Sequence, residues 1–308
     1  MRIATSTISE SVLAQIQKLG TQQAKLQAQV STGQKLTQIE DDPSAFGRVI
    51  ALDTESRQLT QYESNATRAL EVSQATYSGL QSIKTISDRA GEIATLGAGT
   101  SSSDSNNAYA QEVNQLIEQA VQQGNAKLGN DYLFAGTAVS TPPYAATRDA
   151  SGNITSVVYN GNTSQATVQL SELSGVSPGS SSTTNIGLAN RAATPSDAPG
   201  FINNLIALRD ALTSGSSAAV TTAQTSLDSS ENLLVNALSE QGAVQLRIQV
   251  NQSQQTTRAT DLQKLVSNET DADMATSVTQ LSQASTAYQA ALSSASKILQ
   301  TSLLDYLK

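Results

Sequence analysis

Few side chains in this sequence could do chemistry. Two acidic pairs stand out, Asp41/Asp42 and Asp271/Asp273. Paired carboxylates can act as general acid and base in sugar hydrolysis. The rest of the catalytic repertoire is missing, because the 308 residues include no His and no Cys. With them go the usual proton shuttle, the thiol nucleophile, any disulfide framework and most zinc or haem ligation. Both acidic pairs also stand where helices would begin. Asp42 followed by Pro43 has the form of an N-cap with Pro at the first helical position, and Thr270-Asp271-Ala272-Asp273 has that of a capping box. A carboxylate placed there is stabilised by free N–H groups and the helix dipole. Asp42, Pro43, Thr270 and Asp273 are therefore read as caps. No catalytic residue, metal or cofactor is expected.

The elements around those caps follow from proline. Five of the six prolines, Pro142, Pro143, Pro178, Pro195 and Pro199, fall in one short region, and the sixth is Pro43. Proline breaks helices through its missing N–H and its ring. Two long helix-permissive stretches thus flank a region that cannot be mainly helical. Within that region, 154–159 (Ile-Thr-Ser-Val-Val-Tyr) and 167–170 (Thr-Val-Gln-Leu) favour strands. Asp149-Ala-Ser-Gly152-Asn153 precedes them and Asn160-Gly161-Asn162 separates them as turn signals, while 174–185 reads as loop. Tyr132, Phe134 and Tyr144 near the junction are read as packing residues.

The flanking arms carry apolar and small residues in steps of three and four, the seam of a coiled coil or long bundle. Ile8 lies at the start of the first run, which continues through Val12, Ile16, Leu19, Gln23, Leu26 and Val30. Another runs from Val220 through Leu227, Leu234, Gln241 and Ile248 to Asn251, and a short copy comprises Phe201, Leu205, Leu208 and Leu212. The last comprises Met274, Val278, Leu281, Ser285, Tyr288, Leu292, Ala295, Leu299, Ser302 and Tyr306, with Leu303 beside it. The helix opened at Pro43 could run to about Leu96, on the order of 80 Å at ~1.5 Å per residue. The fold class expected is mainly α: an elongated, coiled-coil-like rod of long helices with paired terminal helices and a small inserted β domain. The expected division is 1–40 with 270–308 as a terminal coiled-coil domain, 41–137 with 199–269 as a helical rod, and 138–198 as the insert. Isolated helices with such small and polar seams are marginal in water. The two ends are therefore expected to be poorly ordered alone and to pair on assembly.

A net charge of −8 argues against nucleic acid as a partner. No apolar run approaches the ~18 residues of a membrane span, so no membrane insertion is expected. The N-terminus shows no apolar region or cleavage site of a general secretory signal.

Several segments resemble a known family. Val30-Ser31-Thr32-Gly33-Gln34-Lys35 followed by Asp41-Asp42-Pro43-Ser44-Ala45 is similar to the N-terminal signature of bacterial flagellins and their hook-associated relatives. The opening Met1-Arg2-Ile3, the run 131–137 (Asp-Tyr-Leu-Phe-Ala-Gly-Thr) and the tail 296–307 resemble the hook-associated protein 3 branch. Filament flagellins carry Arg-Ile-Asn-Ser-Ala before the acidic pair, where this chain has Lys35-Leu36-Thr37-Gln38-Ile39-Glu40. The resemblance implies a structural subunit of the flagellum, exported without a cleaved signal and assembled with itself as a ring or helical oligomer. It implies hook-associated protein 1 and flagellin as neighbours, and a cytoplasmic export chaperone at the C-terminal helices. The terminal helices would form an inner tube, with the insert facing outward. The alternatives are a major or minor filament flagellin and, from another class, a surface carbohydrate-binding protein using the insert.

Overall fold

A computed structural model describes residues 2–99, 102–162, 164–179 and 200–306, with side chains described between residues 10 and 297. Most of these residues are helical: α1 (Arg2–Thr32), α2 (Pro43–Gly99), α3 (Ser103–Gly124), α4 (Phe201–Ser214), α5 (Ser217–Thr270) and α6 (Met274–Tyr306). Among the described residues, three two-stranded antiparallel hairpins complete the fold. They pair β1 (Lys127–Leu128) with β2 (Asp131–Tyr132), β3 (Tyr144–Arg148) with β4 (Ile154–Tyr159), and β5 (Val168–Gln169) with β6 (Gly175–Val176). The protein is mainly α with a small β component. It divides into two compact units, Met1–Gln58 with Thr257–Lys308 and Leu59–Thr256, and α2 and α5 contribute to both.

The second unit is built on the α5 seam. Val220, Ala223, Leu227, Ser230, Leu234, Ala237, Gln241 and Ile248 are buried and Val244 is half-buried, in the three-and-four steps read from the sequence. Phe201, Leu205, Leu208 and Leu212 of α4 are fully buried in the same core as Leu80, Ile83 and Ile93 of α2 and Val113 and Ile117 of α3. Gly79 and Gly124 admit aromatic rings to it. A Cβ at Gly79 would lie 2.9 Å from Phe134, and one at Gly124 would lie 2.7 Å from Tyr144.

The sequence marked two of these strands and their turns but left the pairing open. β4 occupies residues 154–159 as read, but it turns back through 149–153 to pair with β3, Tyr144 facing Tyr159. Asp149 Oδ1 accepts the N–H groups of Ser151 and Asn153 at 2.9 Å, and Gly152 takes the positive φ of 88° that closes this turn. The Asn160–Asn162 turn does not join 154–159 to 167–170. Asn162 Oδ1 instead accepts from the N–H of Thr137 (2.9 Å) and of Ser164 (3.2 Å). β5 pairs with β6, which lies in the stretch expected to be loop.

Each outer edge of the β3–β4 hairpin is met by an asparagine amide. Asn125 donates to Tyr144 O and accepts from Tyr144 N–H, both at 2.9 Å. Asn203 makes the same double contact with Val157 at 3.1 Å. These amides stand in for a neighbouring strand and satisfy edge groups that would otherwise invite another chain. Arg209 adds a bond to Ile154 O at 2.6 Å. Tyr144, Ile154, Val157 and Tyr159 are buried in the helical core, so this hairpin shares that core.

The β5–β6 hairpin is held by glutamine and asparagine. Gln241 Nε2 donates to Ser73 Oγ at 2.6 Å and to Pro178 O at 2.7 Å, and Gln255 Nε2 donates to Leu170 O at 2.6 Å. Asn65 Nδ2 reaches Gln169 O at 3.0 Å. Buried polar groups with partners of this kind fix position more than they add stability.

Candidate functional site

The residues singled out by the motifs converge on the first unit, where α1 and α6 pack along one another. On α1, Leu26 is buried, and Val12, Ile16, Leu19, Gln23 and Val30 are half-buried. Gly20 faces Tyr288, whose Cε2 would lie 3.5 Å from a Cβ placed there. On α6 the inward stripe is Ser277, Leu281, Ala284, Tyr288, Ala291 and Ala295. It shares Leu281, Tyr288 and Ala295 with the sequence-derived seam, and Ser285 of that seam is half-buried beside it. It replaces the larger side chains on one flank by Ser and Ala on the other. Small residues let the two backbones approach. Met274, Val278 and Leu292 lie on the flank of that stripe and stay about half exposed, at 44%, 50% and 44%. Ile8, Leu299, Leu303 and Tyr306 belong to the helices, but their side chains lie outside the described residues.

The terminal helices were expected to await assembly before pairing, whereas the structure pairs them within one chain. The reason lies in the two connections that lead into them. Gly33, at φ 73°, ends α1 by a left-handed turn, a conformation that suits glycine. The chain then forms an antiparallel bridge between Gln34 and Asp271, with Lys35 N–H donating to Thr270 O (2.7 Å) and Ala272 N–H to Gly33 O (2.8 Å). Lys35 Nζ adds a bond to Asn268 O at 2.7 Å, and Arg48 grips Glu269 through two nitrogens at 2.9 and 3.0 Å. This clasp keeps α1 and α6 side by side, so their pairing is intramolecular and benefits from a high effective concentration.

The acidic pairs serve this clasp. Asp42 Oδ1 accepts the N–H groups of Ser44 and Ala45 at 3.0 Å, capping α2 where Pro43 begins it. Asp41 accepts from Lys25 Nζ at 2.7 Å and from the N–H groups of Thr37 and Gln38 at 3.1 Å. The Lys25 ammonium first, then those amides, hold its carboxyl far below the usual carboxylate range. Asp273 caps α6, accepting from the Thr276 hydroxyl at 2.8 Å and from the N–H groups of Thr276 at 3.3 Å and Ala275 at 3.0 Å, and these bonds lower its pKa. Hydrogen bonds from the Ser267 and Thr270 hydroxyls do the same for Asp271, and Arg48 does so for Glu269. Thr270 differs from its expected role. It is the last residue of α5, its hydroxyl donating to Val266 O at 2.9 Å, so the cap is Asp273 alone and the box does not form.

The segments Val30–Lys35 and Asp41–Ala45 thus supply much of a mechanical fastening, and a second apolar stripe on α6 stays exposed in the single chain. Comparison with known proteins agrees with that class. Residues 3–139 match the family described as the bacterial flagellin N-terminal helical region. Flagellar hook-associated protein 3 of Salmonella typhimurium is 30% identical over 146 residues, 47% of this chain and 46% of that protein. Its Escherichia coli counterpart is 28% identical over 147 residues, with the same two shares. The chain spans about half the length of the curated relatives it matches. In fold it is similar to a flagellar hook-associated protein from Vibrio parahaemolyticus, with a TM-score of 0.64 at 18% identity over 75% of this chain and 100% of that one. Bacillus cereus FlgL gives 0.56 at 15% identity, over 70% and 98%.

Over residues 3–139 the chain is thus similar to the bacterial flagellin family. Over about half its length it also resembles flagellar hook-associated protein 3.

Proposed function

We propose that this chain is a structural subunit of the bacterial flagellum that joins the hook to the filament by assembling with copies of itself. Its neighbours would be hook-associated protein 1 on one side and flagellin on the other. The observation that carries the reading is the exposed stripe of Met274, Val278 and Leu292 on a helix already paired inside its own chain. A helix with one stripe filled and a second apolar stripe open is suited to a neighbour, because burying that stripe is favourable. Residues 1–40 and 270–308 would line the inner tube, 41–137 and 199–269 the helical rod around it, and 138–198 the outward face. A cytoplasmic chaperone would shield the C-terminal helices before export. The role is mechanical and requires no catalysis. Torque would pass through many distributed helix contacts.

Electron microscopy of a deletion strain tests this reading. Hooks lacking filaments, with flagellin lost to the medium, are the expected result, and normal filaments would contradict it. A filament flagellin is the second reading, favoured by the match of residues 3–139 to the region shared with flagellins. Seeded growth of the purified chain separates the two. A junction subunit stops after a limited layer, whereas a flagellin extends without limit.

A further inference from the structure

The β5–β6 turn displays a side chain that the second unit does not use. Leu173 is 97% exposed, between Glu172 and the Ser174 that leads into β6. A single exposed Leu is ordinary, but this one stands beside its complement. Between the same hairpin and α5 lies a groove of about 290 Å³, lined by Leu170, Val176, Leu246, Arg247 and Val250. Leu246 and Val250 are 62% and 50% exposed, so α5 offers an apolar surface on a face that its buried seam does not reach. The charges match the shapes. Acidic Glu172 flanks the knob, and Arg247 lines the groove. Arg247 donates to Gly175 O at 3.3 Å, and among the described residues neither charge forms an ion pair.

We propose that a second copy of this chain docks here, seating its Leu173 in the groove with its Glu172 against Arg247. A molecule that carries both an apolar knob and a matching groove is complementary to itself. Opposite charges at the rim then fix the register of the contact. The inference rests on the self-assembly reading above and adds to it a contact made by the second unit, independent of the α6 stripe.

The absence of native cysteine makes the test direct. Two full-length single-cysteine chains, Leu173→Cys and Leu246→Cys, carry different tags and are mixed under oxidising conditions. Mixing Leu173→Cys with Ser151→Cys gives the control, and sedimentation velocity records self-association of the unmodified chain. The expected result is a mixed disulfide between Leu173→Cys and Leu246→Cys well above the control. Glu172→Arg and Arg247→Glu should each weaken association, and the double exchange should restore it. Self-association without the 173–246 cross-link overturns this contact and leaves the assembly reading in place. A chain that stays monomeric at every concentration overturns both.

Discussion

Replacing Val278 and Leu292 together by Asp separates the two faces of α6. Both side chains are about half exposed in the single chain, at 50% and 44%. Fully burying a Val or Leu is worth about 1.5–3 kcal/mol, so each has roughly 0.7–1.5 kcal/mol left to contribute when a neighbour covers it. Losing both removes roughly 1.5–3 kcal/mol per contact, before the added cost of confining a carboxylate. The dissociation constant should rise by roughly ten- to hundredfold. The isolated chain should hardly notice, since surface substitutions away from special features stay within about 0.5 kcal/mol. Ala284→Asp with Ala295→Asp is the counterpart, because those positions are 7% and 8% exposed on the face toward α1. That pair should strip helical signal from the monomer itself. The assay is sedimentation velocity over a concentration series, with far-UV circular dichroism on the same samples. The reasoning fails if Val278→Asp/Leu292→Asp associates as tightly as the unmodified chain, or if it loses as much helix as Ala284→Asp/Ala295→Asp.

Three further outcomes follow from the packing and the clasp. Gln241→Leu strands the buried Ser73 hydroxyl and Pro178 carbonyl, costing about 1–3 kcal/mol and lowering Tm by roughly 3–10 °C; adding Ser73→Ala should recover part of the loss. Alanine should act in opposite directions at two helical glycines. Gly242→Ala enters open space and should gain up to ~1 kcal/mol of helix propensity, whereas Gly79→Ala meets the buried Phe134 ring and should lower Tm. The clasp should dissolve in acid. Asp41, Glu269, Asp271 and Asp273 sit below their ordinary values of 3.8 and 4.5 when folded, so the opened clasp binds more protons as the pH falls. Its stabilisation is complete above those values and fades below them. Amide exchange at residues 33–41 and 271–273 should rise there ahead of α2, and unchanged protection down to the lowest pH would contradict the assignment.

The two seams show what a sequence can convey about such a fold. On α5 the apolar spacing and the burial coincide from Val220 to Ile248, because one stripe packs inside the chain and hydrophobicity alone identifies it. On α6 the same reasoning chose the larger side chains, Met274, Val278 and Leu292, while the intramolecular contact uses Ser277, Ala284 and Ala291. Spacing finds a helix but cannot rank two adjacent stripes when the one that packs closely is made of small residues. β4 was legible from its branched side chains. Its partner β3 was hidden behind Pro142 and Pro143, which sit just outside the strand, where proline is tolerated. The Asn125 and Asn203 edge contacts had no local signal, since each joins a helix end to a strand far along the chain. Asp42 and Asp273 were readable as caps because their bonds close within three residues. Thr270 misled because a hydroxyl just before an acidic residue suits either end of a helix.

A junction role fixes where the assembled chain sits. An epitope tag placed in the exposed 149–153 turn, followed by gold labelling of isolated flagella, measures this directly. A single band of label where hook meets filament is the predicted result. Label spread along the filament, or absent from the flagellum, would contradict it.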